Sequence, residues 1–171
     1  MLSTILNPDE FNPYYAQYIN NAADTNIVEG LNKNLVTVFS FYSNIPKNKH
    51  NYAYSDGKWT IKQILIHLID TERIFAYRAL RIARKDKTPL AGFDQDDYVF
   101  NATVVDRSLI NILDEYKAVR LATIALFESF NKETLLETGI ASNDKVSVRA
   151  LGYIITGHEN HHNKIIRERY L

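Results

Sequence analysis

Thr60-Ile-Lys-Gln-Ile-Leu-Ile-His-Leu-Ile-Asp-Thr-Glu-Arg-Ile-Phe-Ala-Tyr-Arg-Ala-Leu-Arg-Ile-Ala-Arg-Lys85 is the stretch that decides the fold class. Its first four residues fit a capping box, in which the Thr60 hydroxyl takes the Gln63 amide and the Gln63 side chain reaches back to the Thr60 amide. Ile61, Ile64, Leu65, Leu68, Phe75, Ala79 and Ile82 then fall on one side of a 3.6-residue period. The spacing predicts a helix from Thr60 to near Lys85 with one face buried.

The same rhythm recurs on both sides. Ile27, Leu31, Leu35, Val38 and Tyr42 predict a helix over Asn26–Asn44, closed by Ile45-Pro46 because the residue before proline leaves the helical region. A shorter helix before it is expected to start at Asn12 as N-cap, with Pro13 in the first turn, where its missing amide costs nothing. Leu109, Ile112, Leu113, Tyr116, Val119, Leu126 and Phe127 predict a third long helix over Ser108–Phe130. The last covers Ser147–Tyr170, with Ser147 as N-cap. No run of alternating residues suggests a sheet, and no internal repeat or low-complexity segment is visible.

Four amphipathic helices of ~20 residues must bury their stripes against one another, so the expectation is an all-α four-helix bundle forming one domain over residues 1–171. The connections Asp86–Arg107 and Lys132–Val146 are longer than the turns of a simple up-down bundle, which leaves room for a crossover. Pro89–Tyr98 mixes apolar anchors with acids and is expected to be an ordered loop packed on the bundle.

Composition narrows the function classes. Of 171 residues 46% are hydrophobic and 23% charged, the profile of one globular domain. Twenty basic and twenty acidic residues cancel, which speaks against a protein that works by counterion release on nucleic acid or on an anionic membrane. With no cysteine there is no disulfide, Cys-zinc site, iron–sulfur cluster or thiol nucleophile, so any metal must be held by His, Asp or Glu. The start, Met1 to Tyr15, lacks a basic region followed by a long apolar run and does not read as a signal peptide. The longest uncharged, largely apolar stretch, Leu35–Pro46, falls short of the roughly 18 residues a spanning helix needs. A cytoplasmic location is expected.

The chain has five histidines. His158 and His162 are about 40° apart on one helix face and one turn apart along its axis, the spacing at which a helix offers two imidazoles to one cation. Both lie on the stripe formed with Leu151, Ile155 and Ile165, whereas His161 lies to the side. His67 sits at the edge of its own helix's stripe beside Ile64 and Leu68. If those two helices are neighbours it completes a set of three, and three imidazoles with open positions are the pattern of a catalytic rather than a closed site. The alternative is that these are core histidines satisfied by hydrogen bonds. His50, beside Lys47, Asn48 and Lys49, is expected to be solvated. Asp70, Glu72 and Arg73, with Arg78 and Arg120, sit within or beside apolar stripes and read best as an internal ion-pair network. An acid that fixes a ligand histidine, or a general base from Asp70, Glu72 or a loop, is the functional alternative. Glu159 is expected to face away from the buried stripe. The eleven tyrosines, including Tyr14, Tyr15 and Tyr18, are read as core and rim.

Gly57-Lys-Trp59 continuing through His67 to Arg73, together with Gly157-His158-Glu-Asn-His-His162, resembles the DinB-like superfamily. Asn12-Pro-Tyr-Tyr15, Ala83-Arg84, Gly92–Tyr98 and Glu168-Arg-Tyr170 extend the resemblance over nearly the whole chain. It implies a four-helix bundle of up-down-down-up topology. It also implies a divalent metal, nickel or zinc, on three histidines, here His67, His158 and His162. Members include transferases that use a low-molecular-weight thiol and metal-dependent hydrolases, so the resemblance implies a small-molecule substrate and a thiol as a second cofactor. Family members often pair into homodimers. The expected function is therefore metal-dependent transfer of a small thiol to, or hydrolysis of, a small electrophile. The competing expectation is a non-catalytic bundle whose metal site is structural or sensing and whose role is protein interaction. Binding to DNA ranks behind both.

Overall fold

The computed structural model describes residues 6–22, 26–104 and 106–171. The reading of the extreme N-terminus falls in part on residues 1–5, outside the described residues. Two short 3-10 turns, each capped by an asparagine, lead into α1 (Ala16–Asn21). Asn12 does cap, accepting from the Tyr14 amide at 2.8 Å, and Pro13 stands in the first turn.

The four long helices are α2 (Ile27–Ser43), α3 (Ile61–Ala83), α5 (Leu109–Glu128) and α7 (Val148–Arg169), with the short α4 (Gln95–Asn101) and α6 (Lys132–Leu136) in the connections. Their starts follow from side-chain caps. Both arms of the α3 capping box are made, Gln63 amide to Thr60 hydroxyl at 3.3 Å and Thr60 amide to Gln63 Oε1 at 2.8 Å. Asn26, Ser108 and Ser147 cap α2, α5 and α7.

The long helices meet at fixed registers. Along α3 and α5, Lys62 reaches the Arg107 carbonyl, Arg73 reaches Glu115 and Glu72 reaches Arg120. Asn34 of α2 reaches Thr156, Glu159 and Asn160 of α7, and Leu31 of α2 takes Arg120 of α5. Tyr170, just past α7, donates to Trp59, just before α3, while His67 meets His158. Among the described residues no helix is long and apolar enough to cross a membrane.

A sheet was not expected, yet β1 (Thr138–Ala141) pairs antiparallel with β2 (Asp144–Ser147). Its turn, Ser142-Asn143, has φ of 53° and 67°, the left-handed pair that a two-residue hairpin turn demands. Glycine usually supplies that geometry, and here a serine and an asparagine adopt it, so this turn carries no Asn-Gly or Asp-Gly signal. Strands of four residues are also too short for a visible alternation. Leu90 exchanges hydrogen bonds with Ile140 and Ser142, sewing the start of the expected Pro89–Tyr98 loop onto the hairpin, while the rest of it, from Gln95 on, is helical in α4 because Asp94 caps that helix.

The core is divided in two. One cluster includes Ile19, Leu31, Phe75, Ile82, Val148 and Leu151; the other includes Val38, Tyr42, Leu65, Ile112, Tyr116 and Ile166. Between them, at mid-bundle, lies a layer of buried polar side chains: His67, Thr71, Glu72, Arg120, His158 and Glu159.

Candidate metal centre

α3 and α7 bring three imidazoles together within that layer. His158 Nε2 lies 3.1 Å from His67 Nε2 and 3.0 Å from His162 Nε2. The three ligand atoms all lie within 4.8 Å of one another. A ring nitrogen either carries one proton or offers one in-plane lone pair, so His158 Nε2 can complete one of these contacts as a hydrogen bond but not both. A single cation uses all three lone pairs at once. Nitrogens bound to one ion at about 2.1 Å stand roughly 3.0–3.4 Å apart, according to whether the angles are octahedral or tetrahedral. The residues present therefore fit a divalent metal.

Burial holds these rings in the ligating, neutral form. It pushes His67 down to about 4. His162 is pushed down to about 3 by burial, with the neighbouring His67 and His161 adding to it. His158 is driven well below the usual range by burial first and by the other three histidines second. Trp59 packs on His67 with ring centres 4.6 Å apart, and Tyr18 meets His158 edge-on at 5.2 Å. Thr71, one turn after His67, has its hydroxyl 3.5 Å from His67 Nδ1, too long to count as more than a weak orienting contact.

Beside the imidazoles, Arg120 binds Glu72 through two nitrogens at 2.8 and 2.9 Å and Glu159 at 3.1 Å. Arg120 is 1% exposed and both acids nearly as buried. This is the internal ion-pair network expected of Glu72 and Arg120. The expectation for Glu159 is corrected. It points inward, because the side of α7 that carries it is covered by Asn34 of α2 and by Arg120 of α5. Glu159 also accepts from Asn34 at 2.7 Å. Burial raises its carboxyl, against the pull of Arg120.

The candidate bases are placed elsewhere. Asp70 is half-buried and paired with Arg73 at 3.4 Å, burial raising its carboxyl against that pull, and both Glu72 oxygens are taken by Arg120. His50 is not solvated as expected. It is half-buried, with Nε2 3.0 Å from the Ile45 carbonyl, because the loop folds back under the end of α2. His161 lies to the side as read, half-buried against Tyr18.

In front of His67 and His158 opens a cavity of about 230 Å³ walled by Tyr14, Tyr15, Tyr18, Phe75 and Phe93. The three tyrosines were read as core and rim; they come from the segment around α1, which crosses α7 at Gly157. A Cβ at Gly157 would lie 1.6 Å from the Tyr18 carbonyl oxygen, so glycine is what permits the close crossing. The pattern Asn12-Pro-Tyr-Tyr15 was visible in the sequence, but which wall it builds depends on that crossing.

The family model described as the DinB superfamily matches residues 34–166. No curated protein matches the chain significantly. Among solved structures, YfiT from Bacillus subtilis, described as a probable metal-dependent hydrolase with an unusual four-helix bundle topology, superposes with a TM-score of 0.72. The match covers 95% of this chain and 90% of that one at 13% identity, a likeness of fold.

Proposed function

The chain belongs to the DinB superfamily, and on that footing we propose that it is a metal-dependent enzyme in which His67, His158 and His162 hold a divalent cation, nickel or zinc, to hydrolyse a small electrophile or transfer a low-molecular-weight thiol to it. The observation that carries this reading is the convergence of three neutral imidazole nitrogens that no arrangement of protons satisfies. Such an ion, bound through three imidazoles with positions left open, lowers the pKa of a water or thiol so that its anion exists near neutral pH.

The protein's own residues have separable tasks. The imidazoles supply lone pairs, and Trp59 and Tyr18 fix the planes of two of them. Arg120 ties α3, α5 and α7 together through Glu72 and Glu159, holding the backbone that carries the ligands. The aromatic walls limit water at the reacting end of the cavity. We also infer the up-down-down-up helix order. It is supported by contacts that advance together along α2 and α7, from Ile27 at Gly152 through Asn34 at Glu159 to Phe41 under Arg167, and along α3 and α5, and that run oppositely between α3 and α7.

The test is elemental analysis of protein purified without an affinity tag, beside the folded His158→Ala/His162→Ala double variant. Near-stoichiometric nickel, zinc or another divalent ion that is lost in the variant is the expected result. Turnover of ester or amide substrates against transfer of a small thiol to an electrophile then separates the two reactions. Absence of metal from both proteins after incubation with nickel and zinc would overturn the reading and leave the histidines structural.

A further inference from the structure

Arg78 is buried at 3% exposure on α3, and among the described residues no carboxylate pairs with it. The contrast with Arg120 is sharp, since that guanidinium is neutralised by two acids. Arg78 instead gives its protons to neutral oxygens: Nη2 donates to the Ala91 carbonyl at 2.7 Å and to Ser142 Oγ at 2.9 Å, and the Tyr15 phenol lies within its electrostatic reach. Its plane lies against Phe75 and Phe93, with centroids 5.4 and 5.8 Å away. Asp144, whose charge is felt at Tyr15, is exposed and takes a hydrogen bond from Asn12. A buried cation without a counter-ion is costly, and a fold that keeps one needs a reason.

The partners of Arg78 supply it. Ser142, Tyr15, Phe75 and Phe93 all face the cavity whose other end is His67 and His158. A hydroxyl that accepts from a guanidinium keeps its own proton to give and gives it more readily because the oxygen is polarised. The Ser142 hydroxyl is such a donor, and the Tyr15 hydroxyl stands beside it in the same cavity wall, so two donors serve one small space in the field of an unneutralised positive charge. Ser142 reaches this place only through its left-handed backbone, a conformation that costs energy for any residue but glycine.

We propose that this end of the cavity recognises an anionic group of the ligand, a carboxylate held by the Tyr15 and Ser142 hydroxyls in the field of Arg78. The ligand class is then a small carboxylic acid whose apolar body lies between Phe75 and Phe93 and whose far end reaches the imidazoles. That this acid is a substrate rests on the metal-dependent reading above. Arg78 acts through the two hydroxyls and is a positioning residue, while Tyr15 and Ser142 touch the ligand.

Benzoate and its neutral isostere benzamide are the probes, titrated calorimetrically into metal-free and metal-loaded protein. Benzoate is expected to bind roughly tenfold more tightly than benzamide in both forms, as hydrogen bonds to a charged acceptor outweigh those to a neutral one. Tyr15→Phe with Ser142→Gly removes both donors, keeps the aromatic ring and the left-handed turn, and leaves Arg78 in place. In that folded variant the preference for benzoate is expected to vanish, while metal content stays at the wild-type level. Arg78→Met is expected to abolish it too, and the double variant keeps the test decisive if Arg78→Met does not fold. Equal binding of the two probes, or benzoate binding unmoved by the double variant, would overturn the proposal. Protein that binds no metal yet still prefers benzoate would instead overturn the metal-dependent reading and leave the anion site standing.

Discussion

Single residues in the central layer carry more of this fold than their number suggests. At Gly157 two effects oppose each other. Alanine is about 1 kcal/mol better than glycine inside a helix, but its Cβ would fall 1.6 Å from the Tyr18 carbonyl, and a backbone atom cannot swing aside. The steric effect wins, and Gly157→Ala is expected to cost roughly 3 kcal/mol or more in urea unfolding. A wild-type midpoint in the variant would mean that α1 is not seated on α7 in solution. Arg120 is the second such residue. Arg120→Met leaves Glu72 and Glu159 buried without a cation and is expected to cost about 3–5 kcal/mol. Adding Glu72→Gln and Glu159→Gln should recover much of that loss. If Arg120→Met alone unfolds like the wild type, the triad is not desolvated as the contacts require.

At the scale of elements, the ends of helices decide what could be read. α3 closes in a Schellman motif, with the Asp86 amide on the Arg81 carbonyl and the Lys85 amide on that of Ile82. Lys85 occupies the position glycine normally takes, at φ 61°, with only an exposed contact to Glu137 in return. Lys85→Gly is therefore expected to stabilise the protein by about 1 kcal/mol, seen as a higher thermal midpoint. An unchanged or lower midpoint would show the Glu137 contact to outweigh the backbone strain. The same absence of glycine at a left-handed turn hid the β1–β2 hairpin, whose Ser142-Asn143 turn carries no glycine at all. Where local chemistry follows the usual rules, the sequence was legible: the Thr60–Gln63 box, the Asn12 and Ser147 caps and the Pro46 stop all appear where the residues put them. The histidine spacing was legible for the same reason, since His158 and His162 share a face by periodicity alone. Glu159 was not, because the side of α7 that carries it is covered by α2 and α5, and one sequence cannot tell how many neighbours a helix has.

Across the whole molecule, the cavity depends on a segment that belongs to no long helix. Residues around α1 supply its tyrosine wall, and they are seated on the bundle both by apolar packing of Phe11, Ile19 and Ala22 and by polar contacts. Arg149 at the start of α7 grips Glu10, Asn12 reaches Asp144, and Asn160 donates to the Asn21 carbonyl at 2.9 Å. None of these pairings has a signature in the sequence, since each joins positions more than a hundred residues apart. Glu10 makes the strap sensitive to acid. Burial alone would raise its carboxyl, but the Arg149 guanidinium, the Asn7 amide and Ser147 outweigh it and bring it from 4.5 to about 2. A carboxyl depressed in the fold binds its proton more readily in the unfolded chain, so its contribution is complete above about 4.5 and is lost as the pH falls toward 2. Arg149 is a quarter exposed, and solvent screening reduces the effect to about 1 kcal/mol. Unfolding free energies of the wild type and Glu10→Gln should therefore differ by that amount near neutral pH and converge across this window. Curves that stay parallel down to pH 2 would mean that Glu10 is not held by Arg149, and the tyrosine wall would need another anchor.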